Sequence, residues 1–354
     1  TRRHAAILDL VGLKRVVLAV NKMDLVDWSE ARFREIEHDF RSLMWRFGFK
    51  EAIALPVAAV SGDNVASRST NMPWYTGPSL LEHLEEIPSR GTEPTGAFRM
   101  PVQTVLRDTR ADFRGLAGTI SSGTVRVGDT IVDPVSRRTA KVQRIATMDR
   151  DFDEAIQGQA VAIQLDTDID VSRGSVLADP AAPPVVARTL EAKFVWLSET
   201  AYDKRGSYLV RTATDLVPET NLEIKSLLDL ESLATHPANA CKVNDIVIAN
   251  VALGRATAID RFTEAPETGS FMLVDAITGA TIAGGVVTSA SPDAKLGDNV
   301  FMLTRAMLGR GLCSDLADTP EGEAEFRRRA NEVALLLRSA GVAVEIESLP
   351  DYVI

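Results

Sequence analysis

The chain has 354 residues, 45% of them apolar and 25% charged, with a formal net charge of −10. That length exceeds one ordinary domain and implies two to four. The acidic balance argues against non-specific binding to nucleic acid or an anionic membrane, both of which need clustered Lys and Arg. Its two cysteines, Cys241 and Cys313, lie far apart, offering neither a disulfide framework nor zinc spacing. The expectation is therefore a cytoplasmic protein without a metal site or a membrane span.

Thr1-Arg2-Arg3-His4 runs straight into a helical pattern without an initiator Met, so the sequence is expected to begin inside a longer gene product. Ala5 to Gly12 reads as a short helix. Val16 to Val20 is a continuous apolar, β-branched run, as in a parallel strand buried on both faces. A helix capped by Ser29 follows, with Phe33, Ile36, Phe40, Leu43, Met44 and Phe47 at three- and four-residue steps and its end at Gly48. Ile53 to Val57 reads as a second buried strand. Ser79 to Ile87 reads as a helix with Leu80, Leu81 and Leu84 on its inner face. Alternation of helix and strand makes residues 1–90 α/β. The composition of residues 88–97 marks a linker. Short strands punctuated by Gly115, Gly118, Gly123 and Gly128 then predict a small antiparallel barrel. Ala181-Ala182-Pro183-Pro184 forms a second linker before another strand-rich stretch that runs to about residue 288. Beyond it, Glu325 to Ser339 reads as a helix, with Thr319-Pro320 at its start and Gly341 at its end.

The segment that carries chemistry is Asn21-Lys22-Met23-Asp24, directly after the first strand. In an open α/β sheet ligands bind beyond the carboxyl ends of the strands, where this tetrapeptide falls. A carboxylate at Asp24 can accept hydrogen bonds from guanine N1–H and the exocyclic amine, a paired donor edge that adenine lacks. Lys22 can lay its stem along the base. Asn21 can bond the N7 side and tie neighbouring loops together. The second strand ends at Ala58-Ala59-Val60, where the Ala59 N–H is placed to reach guanine O6. The four histidines, His4, His38, His83 and His236, show no metal spacing. Arg327-Arg328-Arg329 reads as a solvated helix face. Trp74-Tyr75 reads as packing between domains.

Residues 1–288 resemble the large GTPase subunit of bacterial sulfate adenylyltransferase, a relative of the translation elongation factors. The resemblance rests on Asn21 to Asp24, on Gly62-Asp63-Asn64-Val65 with Met72-Pro73-Trp74-Tyr75-Thr76-Gly77-Pro78, and on Asp112-Phe113-Arg114-Gly115, Gly118-Thr119 and Ser122-Gly123. Asp168-Ile169-Asp170-Val171-Ser172-Arg173-Gly174, Arg211 to Asp215 and Asn221 to Lys225 extend it. It implies a GTP site formed by Asn21, Lys22, Met23, Asp24, Ala58, Ala59 and Val60, with Mg2+ held by residues outside this chain. It also implies a small catalytic partner subunit that makes adenosine 5′-phosphosulfate and pyrophosphate from ATP and sulfate, driven by GTP hydrolysis. The residues of adenylyl transfer belong to that partner. Ala58 stands where the family usually has serine, which implies weaker loop support.

Residues 296–354 resemble parts of adenylylsulfate kinase, with Asp298 and Asn299 in the loop that approaches the substrate. Phe301, Glu323 and Phe326 replace an arginine, an arginine and an asparagine that hold the anionic substrate, so kinase activity is not expected of this segment as it stands. The implied fold is multidomain α/β plus all-β. It comprises part of a P-loop GTPase domain (1–90), barrels like the second and third domains of translation factors (91–182 and 183–288), and a small α/β kinase-like remnant (289–354). No Gly-x-x-x-x-Gly-Lys-[Ser/Thr] phosphate loop occurs in the sequence. Two readings of that gap stand: a chain that has lost catalysis, or the ordered part of a longer protein, which accounts for several gaps at once. Alternative functions are an elongation-factor-type GTPase and a non-catalytic assembly scaffold.

Overall fold

The computed structural model describes residues 2–87, 95–108, 113–213, 215–292, 301–303, 307–308, 313, 315–316, 319–339 and 344–346. Apolar residues at helical spacing after Ser29 form α2 (Glu30–Met44), preceded by α1 (Arg2–Leu10) and β1 (Arg15–Val20). The Ser29 side chain accepts from the Arg32 N–H and caps α2. The 15-residue helix returns the chain to β2 (Glu51–Pro56), which pairs parallel with β1 from Arg15↔Glu51 to Val20↔Pro56. Phe33, Phe40 and Met44 pack α2 on Val20 and Ala54. The expectation of a first strand buried on both faces is corrected. Burial alternates along β1, and Val17 is 38% exposed. Only two strands of this sheet are described, and α2 covers one face of them.

A capping box starts α3 (Leu80–Glu86): Ser79 and Glu82 each satisfy the other's backbone N–H. Its inner face also differs from expectation. Leu81 and Leu84 are exposed, while His83 is buried. The helix therefore turns His83 and a half-buried Leu80 inward and leaves its other two leucines outside.

The first barrel is built from β3 (Arg99–Pro101), β4 (Thr104–Asp108), β5 (Phe113–Thr119), β6 (Thr124–Arg126), β7 (Thr130–Asp133), β8 (Arg138–Ala146), β9 (Asp151–Phe152), β10 (Glu154–Ile156), β11 (Ala160–Leu165) and β12 (Val176–Ala178). Its main sheet runs β3-β12-β7-β8-β11-β5-β4. Because β3 and β4 are one stretch broken at residues 102–103, pairing β3 with β12 and β4 with β5 closes the ring. At that seam a Cβ on Gly118 would stand 2.3 Å from the Pro101 carbonyl oxygen, so no larger residue fits without moving backbone.

The second barrel uses β13 (Val185–Trp196), β14 (Tyr208–Arg211), β15 (Leu216–Leu228), β16 (Thr235–Pro237), β17 (Ile246–Ile259), β18 (Ser270–Asp275) and β19 (Thr281–Pro292). The order is β14-β18-β19-β13-β17-β15-β16, and a β14–β15 ladder closes it. Leu190, Phe194, Val210, Val217, Val251 and Leu273 fill its interior. Between the barrels, Arg99 and Asp260 form a two-pronged ion pair with Nε···O and Nη···O distances of 3.0 and 3.1 Å. Both side chains are buried. Arg99 also donates to the Phe98 and Ala182 carbonyls, and Thr268 donates to Asp260 at 2.6 Å.

Farther on, β20 (Phe301–Leu303) and β21 (Val344–Ile346) pair parallel, and α4 (Pro320–Ser339) packs on them through Phe326, Ala330 and Ala334. The Gly322 N–H donates to Thr319 Oγ1, and the helix starts at Pro320, the start expected of Thr319-Pro320, so it already runs five residues before Glu325. Contacts divide the chain into two units, Thr1–Thr92 with Asp229–Ala234 and the remainder.

Removing one partner of the Arg99–Asp260 pair strands a buried charge. Asp260→Ala is expected to cost about 3–5 kcal/mol in denaturant unfolding, and Arg99→Met combined with Asp260→Leu distinctly less. On α4, hydrogen bonds from Arg328 and Arg329 hold the Glu325 carboxyl down to about 2. Its folded value is depressed, so its contribution is present above the ordinary 4.5 and lost as pH falls toward about 2. Acid titration of α4 by NMR is expected to show no Glu325-linked loosening above pH 5.

Candidate guanine-recognition site

The parallel pairing of β1 and β2 aligns their carboxyl ends, so the loops that leave them emerge side by side. The Val57 N–H donates to the Val20 carbonyl, and the Met23 N–H to the Val57 carbonyl. Met23 is 1% exposed and is the apolar anchor of an otherwise polar tetrapeptide. Lys22 before it is left-handed, with φ 66°, and Met23–Val26 form a single 3-10 turn. That kink leaves Asn21 and Lys22 exposed and Asp24 half-buried. Among the described residues no hydrogen bond or ion pair engages the Asp24 carboxylate. Its two oxygens remain as acceptors.

Asn21 Oδ1 accepts from the Ala59 N–H at 3.0 Å and from the Lys22 N–H at 2.7 Å. Asn21 therefore ties the two strand-end loops together. The Ala59 N–H, read from the sequence as a donor to guanine O6, is here engaged by Asn21. Ala58 is fully buried, with its N–H on the Asp63 carbonyl and its own carbonyl accepting from the Gly62 and Asp63 N–H groups. Gly62 makes this tight return at φ 83°. Val60 at the tip is 98% exposed. The structure thus brings Asn21, Lys22, Met23, Asp24, Ala58, Ala59 and Val60 into one loop pair. Asp298 and Asn299 lie outside the described residues.

The sequence singled out Asp63 and Asn64 only as a matching segment. Asn64 is 1% exposed, donates from Nδ2 to the Pro56 carbonyl at 3.0 Å and accepts from the Ser69 N–H at 2.7 Å. It clamps the second loop to the end of β2. Its φ of 54° is one that asparagine tolerates, so an Asn two residues after Gly62 was the available signal. Asp63 accepts from Ser61, Ser69 and Asn71, and those hydrogen bonds hold its carboxyl below the usual carboxylate range.

Trp74-Tyr75 does not fit the expectation of packing between domains. Its contacts are with Phe33 on α2, at ring distances of 5.4 and 6.2 Å. Aromatic surface on the first turn of α2 is available next to it, and burial there is satisfied within the α/β unit. The Tyr75 hydroxyl donates to the Pro78 carbonyl at 3.2 Å, and burial pushes its phenol up to about 12. Two clefts on the same unit, of about 550 and 260 Å3, are lined by α2 residues such as Phe40, Leu43 and Met44 and do not touch Asn21–Asp24. Among the described residues no cluster of His, Cys, Asp or Glu is suited to a metal ion, and no helix is long and apolar enough to cross a membrane. Cys241 and Cys313 are buried, and burial pushes the Cys241 thiol up to about 12.

Residues 189–288 match the family described as GTP-eEF1A C-terminal domain-like. The chain is 38% identical over 287 residues to sulfate adenylyltransferase subunit 1 of Saccharophagus degradans, covering 81% of this chain and 61% of that protein. It is 33% identical to the bifunctional enzyme NodQ of Rhizobium sp. (strain BR816), covering 99% of this chain and 63% of that protein. The solved structure of sup35 complexed with GMPPNP aligns with a TM-score of 0.52 and 26% identity, over 82% of this chain and 73% of that one. The chain spans between 44% and 63% of the first relatives it matches. With its barrels on the plan of the translation-factor GTPases, it is a homologue of NodQ and of sulfate adenylyltransferase subunit 1.

Proposed function

We propose that the chain supplies the guanine-recognising half of the GTPase in a sulfate adenylyltransferase large subunit. The observation that carries this reading is the unbonded Asp24 carboxylate beside a second loop that Asn21 ties to it through Ala59. Asp24 accepts from the N1–H and exocyclic amine of guanine. Lys22 covers one face of the base, and the Asn21 amide meets its N7 side. The Ala59 N–H shares itself between Asn21 and O6, as a three-centre bond does. Adenine offers a single donor to that edge and leaves a charged acceptor unpaired, a strong ground for rejection.

Nothing among the described residues fits the phosphates or Mg2+, so this chain's own part is base selection, and hydrolysis needs the remainder of the GTPase. GTP hydrolysis is proposed to drive synthesis of adenosine 5′-phosphosulfate and pyrophosphate from ATP and sulfate on a smaller partner subunit. Relatives named sulfate adenylyltransferase subunit 1 support that assignment. For the last 60 residues, supporting observations are the alignment of a bifunctional NodQ over 99% of the chain and the parallel pair packed under α4. Phe326, where the kinase family has an asparagine, is buried in that small core. A kinase-like remnant that packs but does not hold its substrate accounts for this. The likeness to sup35 reflects the shared translation-factor plan rather than a role in translation.

Asp24→Asn in the intact protein is expected to weaken GTP binding at least about a hundredfold, because an amide presents a donor to the guanine amine. It is expected to bind xanthosine triphosphate instead, whose 2-oxo group accepts that donor. Equilibrium titration with both nucleotides checks this. In the complete complex, phosphosulfate formation is expected to fall when a non-hydrolysable analogue replaces GTP. Equal rates with the two would sink the coupling.

A further inference from the structure

Between the candidate base-reading turn and α2 the backbone adopts a costly shape. Asp27 and Trp28 are consecutive left-handed residues, at φ 51° and 49°, and neither is glycine. The Cβ of a non-glycine residue crowds its carbonyl there, so a run of two persists only where neighbours hold it. The turn is closed by the Trp28 N–H donating to the Met23 carbonyl at 2.9 Å. On its other side the Trp28 carbonyl accepts from the indole N–H of Trp74 at 3.0 Å. Trp74 is itself fixed against Phe33 at 5.4 Å and Tyr75 at 6.2 Å, and the Arg34 guanidinium lies 5.9 Å from its ring. The indole N–H of Trp28 is buried, and it is among the groups that lower the Asp63 carboxyl. Among the described residues, the Trp74 indole is the donor to the Trp28 carbonyl. It comes from a segment 46 residues away in sequence.

We infer that Trp74 is a positioning residue for guanine selectivity. Its N–H latches the 27–28 corner, which sets the pitch of the Met23–Val26 turn and so the aim of the Asp24 carboxylate. This rests on the guanine reading of Asp24. The effect travels through two backbone carbonyls: Trp74 Nε1 to Trp28 O, then Trp28 N to Met23 O, one residue from Asp24.

Trp74→Phe keeps the ring packing and removes the donor. The probes are GDP and inosine diphosphate, which differ only in the exocyclic amine that Asp24 reads, and the protein is the intact chain. The wild type is expected to prefer GDP, and Asp24→Ala to abolish the preference. Trp74→Phe is expected to reduce the GDP-to-IDP affinity ratio about fivefold, a typical effect of one hydrogen bond. It should leave the far-UV spectrum unchanged. In the double variant Trp74→Phe with Asp24→Ala the ratio should match that of Asp24→Ala alone, the signature of action through one group. Trp45→Phe, at a tryptophan 85% exposed on the same unit, is expected to leave the ratio unaltered. If Asp24→Ala abolishes the preference while Trp74→Phe preserves it, the latch is overturned and the guanine site stands. If the wild type shows no preference, the guanine reading itself fails. Equal losses of GDP and IDP affinity in Trp74→Phe would also overturn the latch, since they would reflect general loosening of the domain.

Discussion

The parallel register of β1 with β2 is the constraint on which the candidate site depends. Six residue pairs fix the two strand ends at Val20 and Pro56. From there the chain has no freedom to separate the loops, because Val57 bonds back to Val20 and Met23 bonds across to Val57. Base recognition needs an acceptor pair on one loop and a backbone donor on another, a few ångströms apart. A parallel ladder supplies that spacing from backbone alone, before any side chain contributes. Side chains then refine it: Asn21 crosses between the loops, and Asn64 holds the second loop down on β2.

The barrels solve a different problem. Each closes its sheet, which removes exposed strand edges, and each carries a glycine pressed against a neighbouring strand. Gly118 faces the Pro101 carbonyl in one, and Gly285 stands where a Cβ would meet Phe194 and the Lys193 carbonyl in the other. Their junction is held differently. Val176, Val186 and Ala258 form a small apolar patch there, and the buried Arg99–Asp260 pair has its hydrogen-bonding groups met by Phe98, Ala182 and Thr268. An apolar patch tolerates sliding, whereas a two-pronged ion pair with satisfied neighbours has one geometry. The pair therefore contributes orientation more than net stability.

Much of this was legible in the sequence for identifiable reasons. Asn21 to Asp24 stood out because its chemistry is specific and an apolar strand precedes it. The first barrel followed from glycine-punctuated strands, whereas residues 185–288 read only as strand-rich and their barrel came from the family resemblance. The Ser29 cap and the Thr319-Pro320 start were readable because capping is local. Misreadings arose where burial depends on distant partners. β1 has an apolar sequence on both faces, yet α2 covers only one among the described residues. Leu81 and Leu84 share a helical face that the fold leaves exposed, while His83 turns inward. Trp74 packs on Phe33 of α2, a partner about 40 residues back in the chain that no local pattern around Trp74 announces. The engagement of Ala59 by Asn21 was half-anticipated: loop-tying was expected of Asn21, but not the particular donor it takes.

Met23 occupies the place that the motif Asn-Lys-x-Asp writes as unrestricted. Here that place is fully occupied by the hydrophobic interior, with the residue's N–H and carbonyl both committed to neighbouring backbone. A polar or branched replacement would have to enter an apolar site without partners or strain the turn that carries Asp24. The variable letter of the pattern is thus the bolt that fastens the ligand-facing loop to the sheet. Within this fold its alphabet should shrink to flexible, unbranched or γ-branched apolar side chains of similar volume. A pattern search that admits any residue there would be too permissive for this lineage.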